Sequence, residues 1–149
     1  MMLYCDTSAL VKLYIEEAHS DRLKALVAAS SAVALCRIAW AEAHAALARR
    51  AREVPADRAQ VEAAKAALAA DWRHFVVVEV TQAVCERAGD FAETFALRGC
   101  DSVQLAAAYE TGRILGAPTD YACFDLRLNK AAQVLGMQSV FLGADRIPL

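Results

Sequence analysis

Short apolar runs alternate with longer stretches in which apolar residues return every three or four positions, and this alternation persists along the whole chain. Residues 2–5 (MLYC) predict a buried strand, followed by a helix from Ser8 whose Ala9, Leu10, Leu13 and Tyr14 fall on one face. A second helix is expected from about Ser20 through LKALVAA, then a strand at 32–35 (AVAL). A long helix then covers IAWAEAHAALARRARE up to Pro55. Proline suits a first helical turn, where its missing N–H costs nothing, so Pro55 is expected to open the next helix, which runs to Trp72. FVVVEV (75–80) is the clearest strand signal, rich in β-branched residues and apolar on both faces. Two helices near 82–97 and 101–115 follow, separated by Arg98-Gly99. YACF (121–124) predicts a strand, LNKAAQVLG a short helix ending at Gly136, and SVFL (139–142) the last strand.

Strands that alternate with helices imply a parallel sheet joined by right-handed crossovers, with helices on both faces. The expected fold is therefore an α/β three-layer sandwich of about five strands. At 149 residues, with no repeat, linker or low-complexity tract, one domain over 1–149 is expected.

Composition narrows the class. With 58% hydrophobic residues and only 3 Pro and 6 Gly, the chain is not of the disordered type. A mean hydropathy of +0.28 is high for a soluble chain, which implies a large core together with some apolar surface kept for a partner. No window approaches the roughly 20 apolar residues of a membrane helix. The opening MMLYCDTSALVK meets an acid at once and has no basic flank, so it does not read as a signal peptide, and a cytoplasmic location is expected. Cys5, Cys36, Cys85, Cys100 and Cys123 are odd in number, scattered and without a CxxC pair, and His19, His44 and His74 lie far apart. Zinc and a disulfide framework are both disfavoured; small buried thiols in a reducing compartment are expected. The formal net charge of −2 does not favour nucleic acid, whose binding domains are usually basic, so any such function must rest on local arginines and bound metal.

Four acids carry the candidate chemistry. Ligands of open parallel sheets bind at the carboxyl ends of the strands. Asp6 directly follows the first strand and Asp125 the YACF strand. Asp101 starts a helix, and Glu42 lies near the start of the helix after the second strand, so all four can reach one edge of the sheet. Each also has an ordinary role available. Asp6 can cap the helix that begins near Ser8, Asp101 and Gln104 have the spacing of a capping box, Asp125 can be a turn residue, and Glu42 can face solvent. For Glu42 that role is weak, because Ile38, Ala39, Ala45 and Ala46 surround it at helical spacing and a carboxylate there is costly unless paired or metal-bound. Carboxylates gathered within a few ångström stay ionised only if a divalent cation neutralises them. Oxygen ligands without His or Cys suit Mg²⁺ or Mn²⁺, and carboxylate-held metal is the arrangement used for in-line attack on phosphodiesters.

LYCDTSALVKLY resembles the opening of the PIN-domain nucleases, in which an Asp after the first strand precedes Thr/Ser and a helix. RIAWAEAHAALARR resembles their second motif with its acid at Glu42, LRGCDSVQLAAA the third with Asp101, and CFDLRLNKAAQVLGM the fourth with Asp125. The four occur in order over almost the whole chain. Length and the lack of further domains look most like the VapC-type toxins of type II toxin–antitoxin modules. The resemblance implies a Mg²⁺- or Mn²⁺-dependent endoribonuclease acting on tRNA or rRNA. It also implies Asp6, Glu42, Asp101 and Asp125 as catalytic and metal-holding residues, a small antitoxin that obstructs the acidic pocket, and a homodimer. Cys123 and Cys36 stand where Thr or Ser is common, and Gln104 where His is frequent. None removes an acid, but each changes the hydrogen bonding around them.

Ser8 has a hydroxyl suited to supporting Asp6, with Thr7 as the second choice. Arg98 and Arg127, each near an acid in sequence, are the candidate RNA contacts, since RNA binding needs phosphate contacts. Arg49, Arg50 and Arg52 at the end of the Glu42 helix fit compensation of the helix dipole. Leu10, Leu13, Tyr14, Leu23, Leu26 and Trp40 offer either packing on the sheet or a groove for an antitoxin helix. Rival readings are a PIN-fold binding module without catalysis and a Mg²⁺ phosphatase with an Asp nucleophile. The latter wants a second Asp two residues after the first, where Ser8 stands. A phospho-acceptor receiver wants an Asp after the third strand, where the chain has Glu79-Val80-Thr81.

Overall fold

The computed structural model describes residues 1–143. The chain runs β1 (Met2–Cys5), α1 (Thr7–Leu10), α2 (Ser20–Ala29), β2 (Ala32–Cys36), α3 (Ala39–Glu53), α4 (Arg58–Asp71) and β3 (Val76–Val78). It continues through α5 (Gln82–Phe95), α6 (Gly99–Leu115), β4 (Asp120–Ala122), α7 (Leu126–Val134) and β5 (Gln138–Ser139). The sheet has five strands in the order β3-β2-β1-β4-β5, all parallel. The chain steps outward from β1 to β3 and then returns to the other side of β1. Strand order therefore reverses between β1 and β4, and the crevice over their carboxyl ends is where such sheets take ligands.

Strand residues alternate between the two helical layers, as a period of two requires. Tyr4, Ala34, Cys36, Tyr121 and Cys123 pack with α5, α6 and α7. Leu3, Cys5, Val33 and Ala122 pack with α1 and α2, and Leu35 with α1, α3 and α4. The expected α/β three-layer sandwich is the observed one. α6 is buried nearly all round through Leu105 and through Ala106, Ala107 and Ala108, whose small side chains let it lie close on β2. At its end Gly112 faces Thr119 so closely that an added Cβ would meet Thr119 Oγ1 at 2.8 Å, and this contact holds the turn into β4.

Several elements differ from the sequence expectation. The FVVVEV strand contracts to three residues because it is an edge strand paired only with β2, which ends at Cys36 opposite Val78. Val76 is accordingly 44% exposed rather than covered on both faces. Pro55 opens a 3₁₀ turn, Pro55–Asp57, before α4 begins. The helix expected at 101–115 starts two residues earlier, with Arg98 at the N-cap position, so Asp101 lies in the first turn instead of capping it. The last strand pairs only through Gln138–Ser139, and Phe141 beyond it turns into the core. Cys85 and Cys100 are exposed, correcting the expectation that all five thiols are buried. Leu10 and Leu23 are buried, and Leu13, Tyr14 and Leu26 pack against the core, so the early helices spend their apolar stripes on the sheet. Trp40 remains 37% exposed, resting on Trp72 and His44.

Candidate active site

Asp6 leaves β1 with extended backbone and caps α1: its Oδ2 accepts from the Ser8 amide (3.4 Å) and from Ser8 Oγ (2.8 Å). The ordinary capping role and the candidate chemical role therefore coincide in one residue. Ser8 Oγ also accepts from the Phe124 amide at 3.1 Å, which ties the start of α1 to the segment after β4. The Cys123 thiol donates to the same Asp6 Oδ2 at 3.4 Å and accepts from the Asp125 amide at 3.3 Å. Asp125 in turn caps α7, its Oδ1 accepting from the Leu128 amide at 3.1 Å. One thiol thus joins the acids at the ends of β1 and β4.

Glu42 sits in the first turn of α3 and is half-buried. Its Oε1 accepts from Thr7 Oγ1 at 2.9 Å and from Gln104 Nε2 at 2.7 Å. Ser8 supports Asp6 as expected, while Thr7 supports a different acid. Gln104 is 1% exposed, so the capping box proposed for Asp101 and Gln104 does not form; the amide is spent across the site.

Asp101 and Asp125 line a cleft with Leu97, Arg98, Leu126 and Arg127. Neither arginine forms an ion pair among the described residues, whereas Arg49 pairs with Glu53 and Arg50 with Glu17 and Asp57. The two arginines picked from sequence are thus the ones left available beside the acids.

Charge follows this layout. Burial is the main force on Asp6 and raises its pKa to about 6; the Ser8 and Cys123 hydrogen bonds oppose that shift, and the Glu42 carboxylate adds to it. Asp101 is also raised, by burial first and then by the Asp125 carboxylate, with Arg98 pulling the other way. Burial holds the Cys123 thiol protonated, with the Asp6 charge adding to the effect. Like charge thus acts on Asp6 from Glu42 and on Asp101 from Asp125. Among the described residues, no three acidic, histidine or cysteine side chains are grouped closely enough to hold an ion as they stand. The Cys123 thiol links the Asp6 carboxylate to the Asp125 amide, so the ends of β1 and β4 are joined at this edge.

The chain matches the family model described as PIN domain over residues 3–132. It belongs to the PIN domain family. Two relatives named Ribonuclease VapC45 and Ribonuclease VapC49, from two strains of Mycobacterium tuberculosis (CDC 1551 / Oshkosh and ATCC 25618 / H37Rv), are each 34% identical over 139 residues. In both cases the match covers 91% of this chain and 92% of the relative, which places this PIN domain with the VapC type. Among solved structures, a toxin–antitoxin complex from Klebsiella pneumoniae shares the fold, with a TM-score of 0.56, 20% identity, and coverage of 83% of this chain and 86% of that one.

The donor set fits a hard cation. Asp6, Glu42 and Asp125 each have one oxygen held by the chain's own donors, while Asp6 Oδ1, Glu42 Oε2 and Asp125 Oδ2 carry no hydrogen bond among the described residues. Open carboxylate oxygens suit Mg²⁺ or Mn²⁺. Sequence reasoning missed Tyr4, whose buried hydroxyl donates to Gln104 Oε1 at 2.8 Å; it read Gln104 as a capping partner of Asp101 and a family departure, and Cys123 as a departure. A Tyr inside a strand that is otherwise fully buried was the available signal, because such a hydroxyl needs a partner.

Proposed function

We propose that this PIN domain is a divalent-metal-dependent endoribonuclease, acting as the toxin of a toxin–antitoxin pair. The observation that carries the reading is the pairing of open acid oxygens at the β1/β4 crevice with two unpaired arginines at its rim. The VapC names of the relatives support the ribonuclease assignment and a small antitoxin as partner. Asp6, Asp101 and Asp125, with Glu42, would hold Mg²⁺ or Mn²⁺, which would supply neutralisation of their charge and a water of lowered pKa.

The chain's own residues do the rest. Ser8, Cys123 and the Leu128 amide fix one oxygen each of Asp6 and Asp125, so these carboxylates do not rotate freely when substrate arrives. Arg98 and Arg127, which line the cleft with Asp101 and Asp125, are the RNA phosphate contacts in this reading. RNA, not the fold's net charge, is thus drawn by local cations. No helix of the described residues is long and apolar enough to cross a membrane.

The test is cleavage of total RNA by the purified, antitoxin-free chain with Mg²⁺ or Mn²⁺, with EDTA, and with Asp101→Asn. Discrete fragments that need metal and vanish in the variant are expected. Intact RNA in every lane from a folded chain that also binds no Mn²⁺ would overturn the assignment.

A further inference from the structure

Three layers of the fold meet in one closed set of hydrogen bonds. Tyr4 comes from β1, Thr7 from α1, Glu42 from α3 and Gln104 from α6. The Tyr4 hydroxyl donates to Gln104 Oε1 at 2.8 Å. The two hydrogens of the Gln104 amide go to Glu42 Oε1 at 2.7 Å and Thr7 Oγ1 at 3.0 Å. Thr7 passes its own hydrogen to Glu42 Oε1 at 2.9 Å, closing a ring.

The direction of every bond follows from chemistry. A carboxylate only accepts, so Gln104 must turn its NH₂ toward Glu42; the opposite flip would set a carbonyl oxygen against the charge. The hydroxyl that secures this flip is buried, and its ring is stacked on Tyr121 with centroids 5.9 Å apart. Gln104 spends its oxygen and both amide hydrogens inside the chain, as a fully buried amide must.

We infer that Gln104, clamped by the Tyr4 hydroxyl, is a positioning residue that commits Glu42 Oε1 to the protein and leaves Oε2 as the oxygen offered to the metal. The inference rests on the function proposed above. A carboxylate with one oxygen accepting two hydrogen bonds cannot present both oxygens to an ion, so Glu42 acts through one atom in one orientation. Outer residues of this kind are worth about 10–100-fold in metal affinity or activity. A buried amide bridging two helical layers also has a packing role, so the test must separate the two.

Three variants do so: Gln104→Leu, which keeps volume and loses both polar ends; Gln104→His, which keeps an acceptor and a donor; and Tyr4→Phe, which frees the flip. Mn²⁺ affinity is read by calorimetry on each folded variant, with thermal unfolding as the control. Exchange of the Gln104 side-chain amide hydrogens is read by NMR. Gln104→Leu is expected to weaken Mn²⁺ binding by about 10–100-fold. Tyr4→Phe should weaken it by less and speed amide exchange, and Gln104→His should restore most of the affinity. Wild-type Mn²⁺ affinity in a folded Gln104→Leu, or His no better than Leu, would overturn the positioning role. Gln104 amide hydrogens that exchange in the wild type as fast as exposed ones would overturn the clamp itself. A wild type with protected amide hydrogens but no Mn²⁺ affinity would instead sink the metal site, and with it any role for the clamp in function.

Discussion

On the β1 side of the site Asp6 is 6% exposed and Glu42 half-buried, and each has an oxygen tied down by two side-chain donors. On the β4 side the Asp125 carboxylate is exposed and holds only the amide of its own helix, while the half-buried Asp101 carboxylate carries no hydrogen bond among the described residues. The first pair is set in place by folding, at the cost of a carboxyl whose pKa is pushed to about 6. The second pair has no side-chain donors to hold it and is flanked by Arg98 and Arg127. A pair held by side-chain donors beside a pair left without them is a division of labour, and each half should fail in its own way when altered.

The largest effects should come from the acids. Asp6→Asn and Asp101→Asn should each lower RNA cleavage, measured under excess enzyme, by more than the roughly 100-fold expected of an outer residue. Both remove a carboxyl whose pKa is raised, so both should leave metal-free stability equal or higher. Because the folded pKa of Asp6 lies above the unfolded carboxyl value of 3.8, the native state binds its proton more tightly there. In EDTA, stability should therefore fall as pH rises from about 4 through about 6, by roughly 3 kcal/mol. Urea unfolding across that range checks the slope, and Asp6→Asn, which can still cap α1, should remove the Asp6 share of it and leave that of Asp101. Next in size are the rim arginines. Arg98→Ala and Arg127→Ala should each raise KM and lower the slope of log affinity against log salt by about 0.7 for single-stranded RNA. Smallest is Tyr121→Phe. The Tyr121 hydroxyl is buried without a hydrogen-bond partner of good geometry, the thiol of Cys123 beside it being a weak acceptor, so its removal should leave the unfolding midpoint unchanged or slightly higher.

Much of this could be read before the structure. Strand-then-acid placement located Asp6 and Asp125, because in a parallel sheet the residue after a strand must emerge at the carboxyl edge. The four motifs in order then supplied Glu42 and Asp101. What escaped was how each acid is held. Gln104 looked like a cap partner of Asp101 because i, i+3 spacing is local, whereas its bonds to Tyr4 and Glu42 span 100 and 62 residues and depend on how the layers dock. The pairing of the acids escaped for a similar reason. Sequence placed four carboxylates on one edge but not their depths, and depth separates buried Asp6 from exposed Asp125. Strand lengths were overestimated where an edge position, invisible in an apolar run, let Val76 face water.

Thermal unfolding of the wild type and Asp6→Asn, each in EDTA and in excess Mn²⁺, tests the central claim of a repelling acid site that a divalent ion completes. The account requires the wild-type midpoint to rise with Mn²⁺. It also requires Asp6→Asn to match or exceed the wild type in EDTA and to lose most of the Mn²⁺ response. A variant less stable than the wild type in EDTA, or one that responds to Mn²⁺ as strongly as the wild type, would contradict it.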